Sequence, residues 1–326
     1  MARITILAEE KCASSSITGL VDALAVANLW WSLLGNGGPL FRCRIVTVDG
    51  KPVTANGAFE IRADSSIHEA DGSDVIVLPG FLPPFDFSTE RMDEVRRWLR
   101  ERHEKGETIA AICTGTYILA ETGLLNGRTA TTNWQFAGDF RRRYPGIDLR
   151  ADEILTEEPG LICTGAASSF LNLCLKMIEQ YGSPELASLC SKALLIDPER
   201  LSQAPYMNHD FFKSHADGRI LKAQQLMEES LAAPVSIDGI ASEVALSPRH
   251  FKRRFKSATG DSPLAYLQNL RVETAKKHLE GGNDSVNEIA YKVGYEDVNS
   301  FRKVFKKIAG MSPKDYRSKF SIFAAA

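Results

Sequence analysis

Residues 289–313, IAYKVGYEDVNSFRKVFKKIAGMSP, restate a phrase already present at residues 240–263, IASEVALSPRHFKRRFKSATGDSP. Ile240-Ala241, Val244, Phe251, Phe255-Lys256, Gly260 and Ser262-Pro263 recur as Ile289-Ala290, Val293, Phe301, Phe305-Lys306, Gly310 and Ser312-Pro313. The offset is 49 residues before an internal turn and 50 after it. A supersecondary unit of about fifty residues written twice predicts two helix-turn-helix motifs, over 236–258 and 285–308.

Each copy supplies the parts such a motif needs. In the first, Ser236 is placed to cap a short helix, Ala245-Leu246 to turn, and Ser247-Pro248 to start the next helix as N-cap and first residue. Along PRHFKRRFKSA, Phe251, Phe255 and Ala258 share an inward face. Arg249, Lys252, Arg253 and Lys256 share another, where guanidinium and ammonium groups can meet guanine edges or phosphates. In the second copy Ser285 and Glu288 form a capping box, Gly294-Tyr295 turn, and Asp297 caps DVNSFRKVFKKIA. Phe301, Phe305 and Ile308 are expected inside. Asn299, Arg302, Lys303 and Lys306 are expected outside, with asparagine suited to adenine. The plainer alternative is a pair of amphipathic helices with solvated basic faces, against which stands the joint recurrence of cap, turn, aromatic spacing and basic face.

The segment between the copies, PLAYLQNLRVETAKKHLEGG, has helical periodicity through Leu264, Leu267, Leu270 and Ala275. A helix there would hold two recognition helices for successive major-groove faces roughly 34 Å apart. Charge agrees. Residues 219–326 carry 18 Lys and Arg against 12 Asp and Glu, leaving the rest of the chain at a net of −8 within a total of −2. A basic carboxy-terminal part is attracted to phosphate, although an uneven surface without a partner would give the same count.

The segment from about Arg219 to Ser318 resembles the AraC-family DNA-binding domain, the second copy most closely. The resemblance implies seven helices in two helix-turn-helix subdomains, asymmetric direct half-sites on a double-stranded operator, and activation of transcription through RNA polymerase.

At 326 residues two domains are expected, and 44% hydrophobic with 25% charged residues is ordinary globular composition. The first residues read as a buried strand rather than a signal peptide, and no apolar stretch is read as approaching membrane-spanning length, so a cytoplasmic protein with no membrane partner is expected. Six cysteines lie scattered without metal-ligand spacing, predicting reduced thiols, no metal and no cofactor. ARITILA, FRCRIVTVD, DVIVLPG and ETIAAIC alternate with helical stretches, which predicts an α/β domain with a largely parallel sheet. Ligands bind such sheets at the carboxyl ends of the strands. Cys113 stands there, between the strand IAAIC and the helix TGTYILAETGLL, where helix amides would lower its pKa. None of the six histidines reads as near a strand end of this domain. Cys113 is therefore open to three readings: an apolar residue in a tight turn, a ligand-pocket residue or a nucleophile.

Residues 2–198 resemble the PfpI-like branch of the class I glutamine amidotransferase superfamily, as fused to AraC domains in GlxA-type regulators. The resemblance rests on AAICTGTYILAETGLLNGRTATTNW, LPGFLPP, and LICTGAASSFLNLCLKMIEQYG followed by PERLSQAPY. It implies a flavodoxin-type sandwich over 1–198 that senses a ligand and dimerises, a linker over 199–218, and the all-α DNA-binding domain over 219–326. Cys113 falls on the nucleophile-elbow cysteine. Asn133 stands where catalytic members carry histidine, and Ser16 where they carry an acid, so no catalytic residue is expected. Ser16, Gly80, Phe81, Cys113, Thr114, Asn133 and Trp134 are the expected lining of a sensor pocket for a small-molecule effector, a nitrogen metabolite by resemblance. Trp30 and Trp31 are open to two readings, a part in that pocket or, more in keeping with a Trp pair on an amphipathic helix, the core or a dimer surface. Tyr206, Phe211 and Phe212 are expected to dock the linker on one domain. The alternatives are a cysteine-dependent hydrolase or hydratase with a DNA-binding module, and a purely architectural dimerisation domain.

Overall fold

The computed structural model describes residues 1–83, 87, 89–208, 213, 215–232 and 236–321. It divides into two compact units, Met1–Gln203 and Ala204–Ala326.

In the first unit, β1 (Ala2–Leu7), α1 (Ser14–Leu33), β2 (Phe41–Thr47), β3 (Val53–Thr54), β4 (Glu60–Ile61), β5 (Ser65–Ser66) and β6 (Val75–Leu78) follow one another. Next come α2 (Glu90–Glu104), β7 (Thr108–Ile112), α3 (Gly115–Glu121), β8 (Thr129–Ala130), α4 (Ala137–Arg143) and β9 (Asp148–Leu149). β10 (Leu155–Glu158), β11 (Leu161–Thr164), α5 (Phe170–Tyr181) and α6 (Pro184–Ala193) complete the unit. The main sheet has the order β10-β11-β7-β6-β1-β2-β5. All its pairings are parallel except that of β10 with β11. All four residues of β6 and of β11 are buried. Helices cover both faces of a parallel sheet, so its central strands read as continuous apolar runs rather than alternating ones.

α1 corrects the expectation about apolar length. Ser14–Leu33 is 20 residues long with a mean hydropathy of 1.2, enough to cross a bilayer by length and composition alone. Here Ile17, Leu20, Ala23, Leu24 and Ala27 are buried, and the helix packs on β2, α5 and α6. Trp30 and Trp31 lie half-buried against this core.

The second unit holds α7 (Gly218–Glu229), α8 (Ile237–Glu243), α9 (Pro248–Thr259), α10 (Pro263–Gly281), α11 (Val286–Lys292), α12 (Val298–Ala309) and α13 (Pro313–Phe320). The expected caps form: Ser236, Ser247, Ser285 and Asp297 each accept backbone N–H bonds, and Ser285 with Glu288 closes a capping box. α10 is the spine. Leu267 and Leu270 enter a core with Phe251 and Phe255, while Val272, Ala275 and Leu279 enter a second core with Phe301 and Phe305. The repeat reaches into the packing. Phe255 meets Tyr266 edge-on at 5.3 Å between ring centroids, and Phe305 meets Tyr316 at 5.6 Å in the same way.

The periodic positions differ in how deeply they are buried. Leu264 is 55% exposed because it lies on the solvent side of the first turn of α10. Ala258 and Ile308 are only half-buried, and in the second copy Ala309 takes the fully buried place one residue on.

Candidate functional site

The basic faces stand as the sequence predicts. Arg249, Lys252, Arg253 and Lys256 on α9 are exposed, as are Asn299, Arg302, Lys303 and Lys306 on α12. Phe251, Phe255, Phe301 and Phe305 on the opposite faces are fully buried. Exposure leaves the cations hydrated and free to exchange water for phosphate or base edges. Two have partners of their own. Arg302 donates to Asn287 Oδ1 at 3.2 Å, and Lys252 lies 3.8 Å from Asp238. Arg254 in the same run is instead held by Asp217, the N-cap of α7, whose carboxyl that pairing keeps below its ordinary range.

The turns of the two motifs differ. Gly294 has φ +84° and Ala245 has φ +54°, so both are left-handed, but only the glycine is free of the Cβ penalty. A Cβ at Gly294 would also lie 2.4 Å from the Leu231 carbonyl oxygen.

Residues expected to line a pocket gather around the elbow. Cys113 follows β7 with φ +56°, a strained value for a non-glycine residue of the kind found at functional turns. Its N–H donates to the Thr164 carbonyl at 3.0 Å, and its own carbonyl accepts from the Thr132 hydroxyl at 2.8 Å. The Thr114 hydroxyl accepts from the Phe81 N–H at 2.6 Å and donates to the Phe81 carbonyl at 2.7 Å. The Gly80 N–H donates to Ser16 Oγ at 3.3 Å, and the Gly80 backbone passes close enough that an added Cβ would lie 3.2 Å from that of Cys113. Ser16, Gly80, Phe81, Cys113, Thr114 and Asn133 are thus gathered at the carboxyl edge of β6 and β7, each at least nine-tenths buried. Trp134 opens a short 3-10 turn capped by Asn133 and is half-buried.

The chemistry of the thiol departs from expectation. Burial pushes the Cys113 pKa up, and the opposing pull of the Thr114 amide and of the Asn133 and Thr114 side chains does not reverse it. The helix-terminus effect expected from sequence is outweighed because burial desolvates the thiolate, with the Gly80 backbone that follows β6 lying close to Cys113. Of the histidines in this unit, His68 faces Glu94, and His103 packs against Gly160 at the opposite end of the sheet. The side chains that hydrogen-bond the thiol, Asn133 and Thr114, carry no group that takes up a proton near neutral pH.

Two cavities among the described residues lie elsewhere. One of about 390 Å³ is lined by Glu157, Glu158 and Gln180 among others, and one of about 680 Å³ by Leu155, Asn172, Leu175 and Leu201 among others. Sequence reasoning passed over Thr132 and Gln203. Gln203 is 4% exposed and sits in the segment PERLSQAPY, noticed only as a resemblance.

A mostly parallel α/β unit with an elbow cysteine, joined to a unit with two helix-turn-helix motifs, defines a transcriptional regulator built on an amidotransferase-like domain. Residues 2–180 match the DJ-1/PfpI family and residues 240–319 the helix-turn-helix domain. The first match spans more than half of the chain, which belongs to the DJ-1/PfpI family. Its relatives include the HTH-type transcriptional regulator CdhR of Pseudomonas aeruginosa, 24% identical over 95% of this chain and 91% of the relative. The HTH-type transcriptional regulator GlxA of Rhizobium meliloti is 23% identical over 97% and 95%. The fold also matches a putative transcriptional regulator from Vibrio parahaemolyticus, with a TM-score of 0.51 and 22% identity over 59% of this chain and 98% of that one.

Proposed function

We propose that this protein reads an operator with α9 and α12 together, roughly one DNA turn apart, and that a small effector bound at the elbow cluster controls the reading. The supporting observation for DNA is the double basic face on a shared spine, in a chain whose full-length relatives carry regulator names. For the sensor it is the buried, proton-holding Cys113 beside Asn133 in place of a catalytic base. Asn133 offers both a donor and an acceptor, and Trp134 an aromatic face. That chemistry suits a small polar nitrogen metabolite such as an amino acid or betaine. The regulator acts as a cytoplasmic homodimer, with residues 1–198 sensing and dimerising, and activates transcription with RNA polymerase.

The test is a thermal-shift screen of the full chain and of Cys113→Ala against amino acids, betaines, polyamines and small amides. Saturable stabilisation that persists in Cys113→Ala supports a non-covalent sensor. Turnover of any compound, lost in Cys113→Ala, would replace this reading with a cysteine-dependent hydrolase or hydratase.

A further inference from the structure

The elbow is wired to one particular side chain by two short hydrogen-bonded routes. Gln203 Nε2 donates within 3.0 Å of the Thr132 carbonyl, and the Thr132 hydroxyl donates to the Cys113 carbonyl at 2.8 Å. Gln203 Oε1 accepts from the Ala166 N–H at 2.7 Å, and Thr164, two residues earlier, accepts from the Cys113 N–H at 3.0 Å. Nε2 also lies 3.0 Å from the Ala151 and Glu153 carbonyls. The fit is close, since a Cβ on Gly165 would come within 2.3 Å of the Gln203 amide group. A buried side chain with this many partners moves only with its surroundings.

The very next residues belong to the second unit and are clamped there with equal care. Ala204 and Pro205 lie against Gly310 at the end of α12, where an added Cβ would be 3.2 Å from Ala204 and 3.4 Å from Pro205. The Tyr206 ring meets Phe320 edge-on at 5.5 Å, with Lys319 Nζ 5.0 Å from its centroid. The Met207 carbonyl accepts from Lys276 Nζ at 2.7 Å, and that ammonium is itself buried and paired with Glu273 at 2.8 Å. All these anchors belong to α10, α12 and α13, so the strap serves the second helix-turn-helix motif although the first is nearer in sequence.

We infer that Gln203 is a positioning residue through which the state of the Cys113 elbow is passed, along the strap Ala204–Met207, to the second DNA-reading motif. The inference rests on the proposed sensor site. An effector that shifts the Thr132 or Thr164–Ala166 backbone shifts the seat of Gln203, and the strap begins at the adjoining residue, with no spacer in between. Coupling is reciprocal, so DNA bound by α12 must be felt at the elbow.

The test needs no effector. Hydrogen exchange is measured on the full chain with and without a duplex selected by the protein from random DNA, in the native sequence and in a variant with Gly-Ser-Gly inserted between Gln203 and Ala204. The insertion keeps both sets of anchors and adds only slack. The expected result is that DNA alters exchange of peptides spanning 111–116 and 163–168 in the native chain, and that the insertion abolishes this alteration without weakening single-site DNA affinity. Gln203→Met, if it folds, does the same. An unchanged elbow in the native chain, or an equal change in the insertion variant, overturns the inference. Failure of the sensor reading is a separate outcome: no ligand stabilises the protein, yet the exchange coupling to DNA remains.

Discussion

Cys113 combines a strained left-handed backbone with a thiol that burial keeps protonated. A nucleophile needs the reverse, a thiolate exposed to its substrate. Iodoacetamide is therefore expected to label Cys113 more slowly than a free thiol near neutral pH, and mass spectrometry of labelled peptides checks this. Fast labelling at neutral pH would mean that the elbow retains an activating partner. Other buried thiols bear on stability. Cys12 and Cys43 are raised from 9.0 to about 11, and Cys163 to about 12, all by burial. The folded state then holds protons that the unfolded chain gives up above about pH 9, so this stability is complete below that pH and falls as pH rises toward 11. Urea midpoints that stayed level across this interval would contradict it. The position of Cys113 was legible from a strand running straight into a helix. Its burial was not, because Gly80 and Thr132 approach it from distant parts of the chain.

The helices α9 and α12 show how much a repeat can carry. Caps, turn, aromatic spacing and exposed basic face were all legible, since each depends on residues within one or two helical turns. What failed was local burial: Leu264 has the period of a core residue but sits in a first turn open to solvent. The two turns give an expected pair of opposite effects. Ala245→Gly removes a left-handed Cβ and is expected to stabilise by up to about 1 kcal/mol. Gly294→Ala is expected to destabilise by more than that, since the new Cβ also meets the Leu231 carbonyl oxygen at 2.4 Å. Denaturant midpoints of the two variants decide, and equal shifts would show that the turns are not the strained elements described here. At the reading faces, Arg253→Ala and Arg302→Ala should each cost about 1–3 kcal/mol of specific affinity if they reach bases. Equal losses on operator and random DNA would make them phosphate contacts. Arg302 must first leave Asn287, so Asn287→Ala is expected to leave operator affinity unchanged or raise it.

Across the whole chain, residues 1–218 carry a net charge of −8 and residues 219–326 one of +6. Attraction to phosphate falls with salt in proportion to the number of contacts, so operator affinity should decline steeply as salt rises. The architecture was legible in the sequence because strand, helix and repeat signals are local. The path from Cys113 through Gln203 to α12 was not, because it joins residues that only folding brings together. The most direct measurement is the affinity of the full chain for a duplex it selects, against a random duplex, by fluorescence anisotropy with and without each amino acid, betaine and amine in the panel. The account predicts selective binding, and at least one compound that shifts it by roughly 5–150-fold in both the native protein and Cys113→Ala. Equal affinity for selected and random DNA, or selective binding that no compound alters, would contradict it.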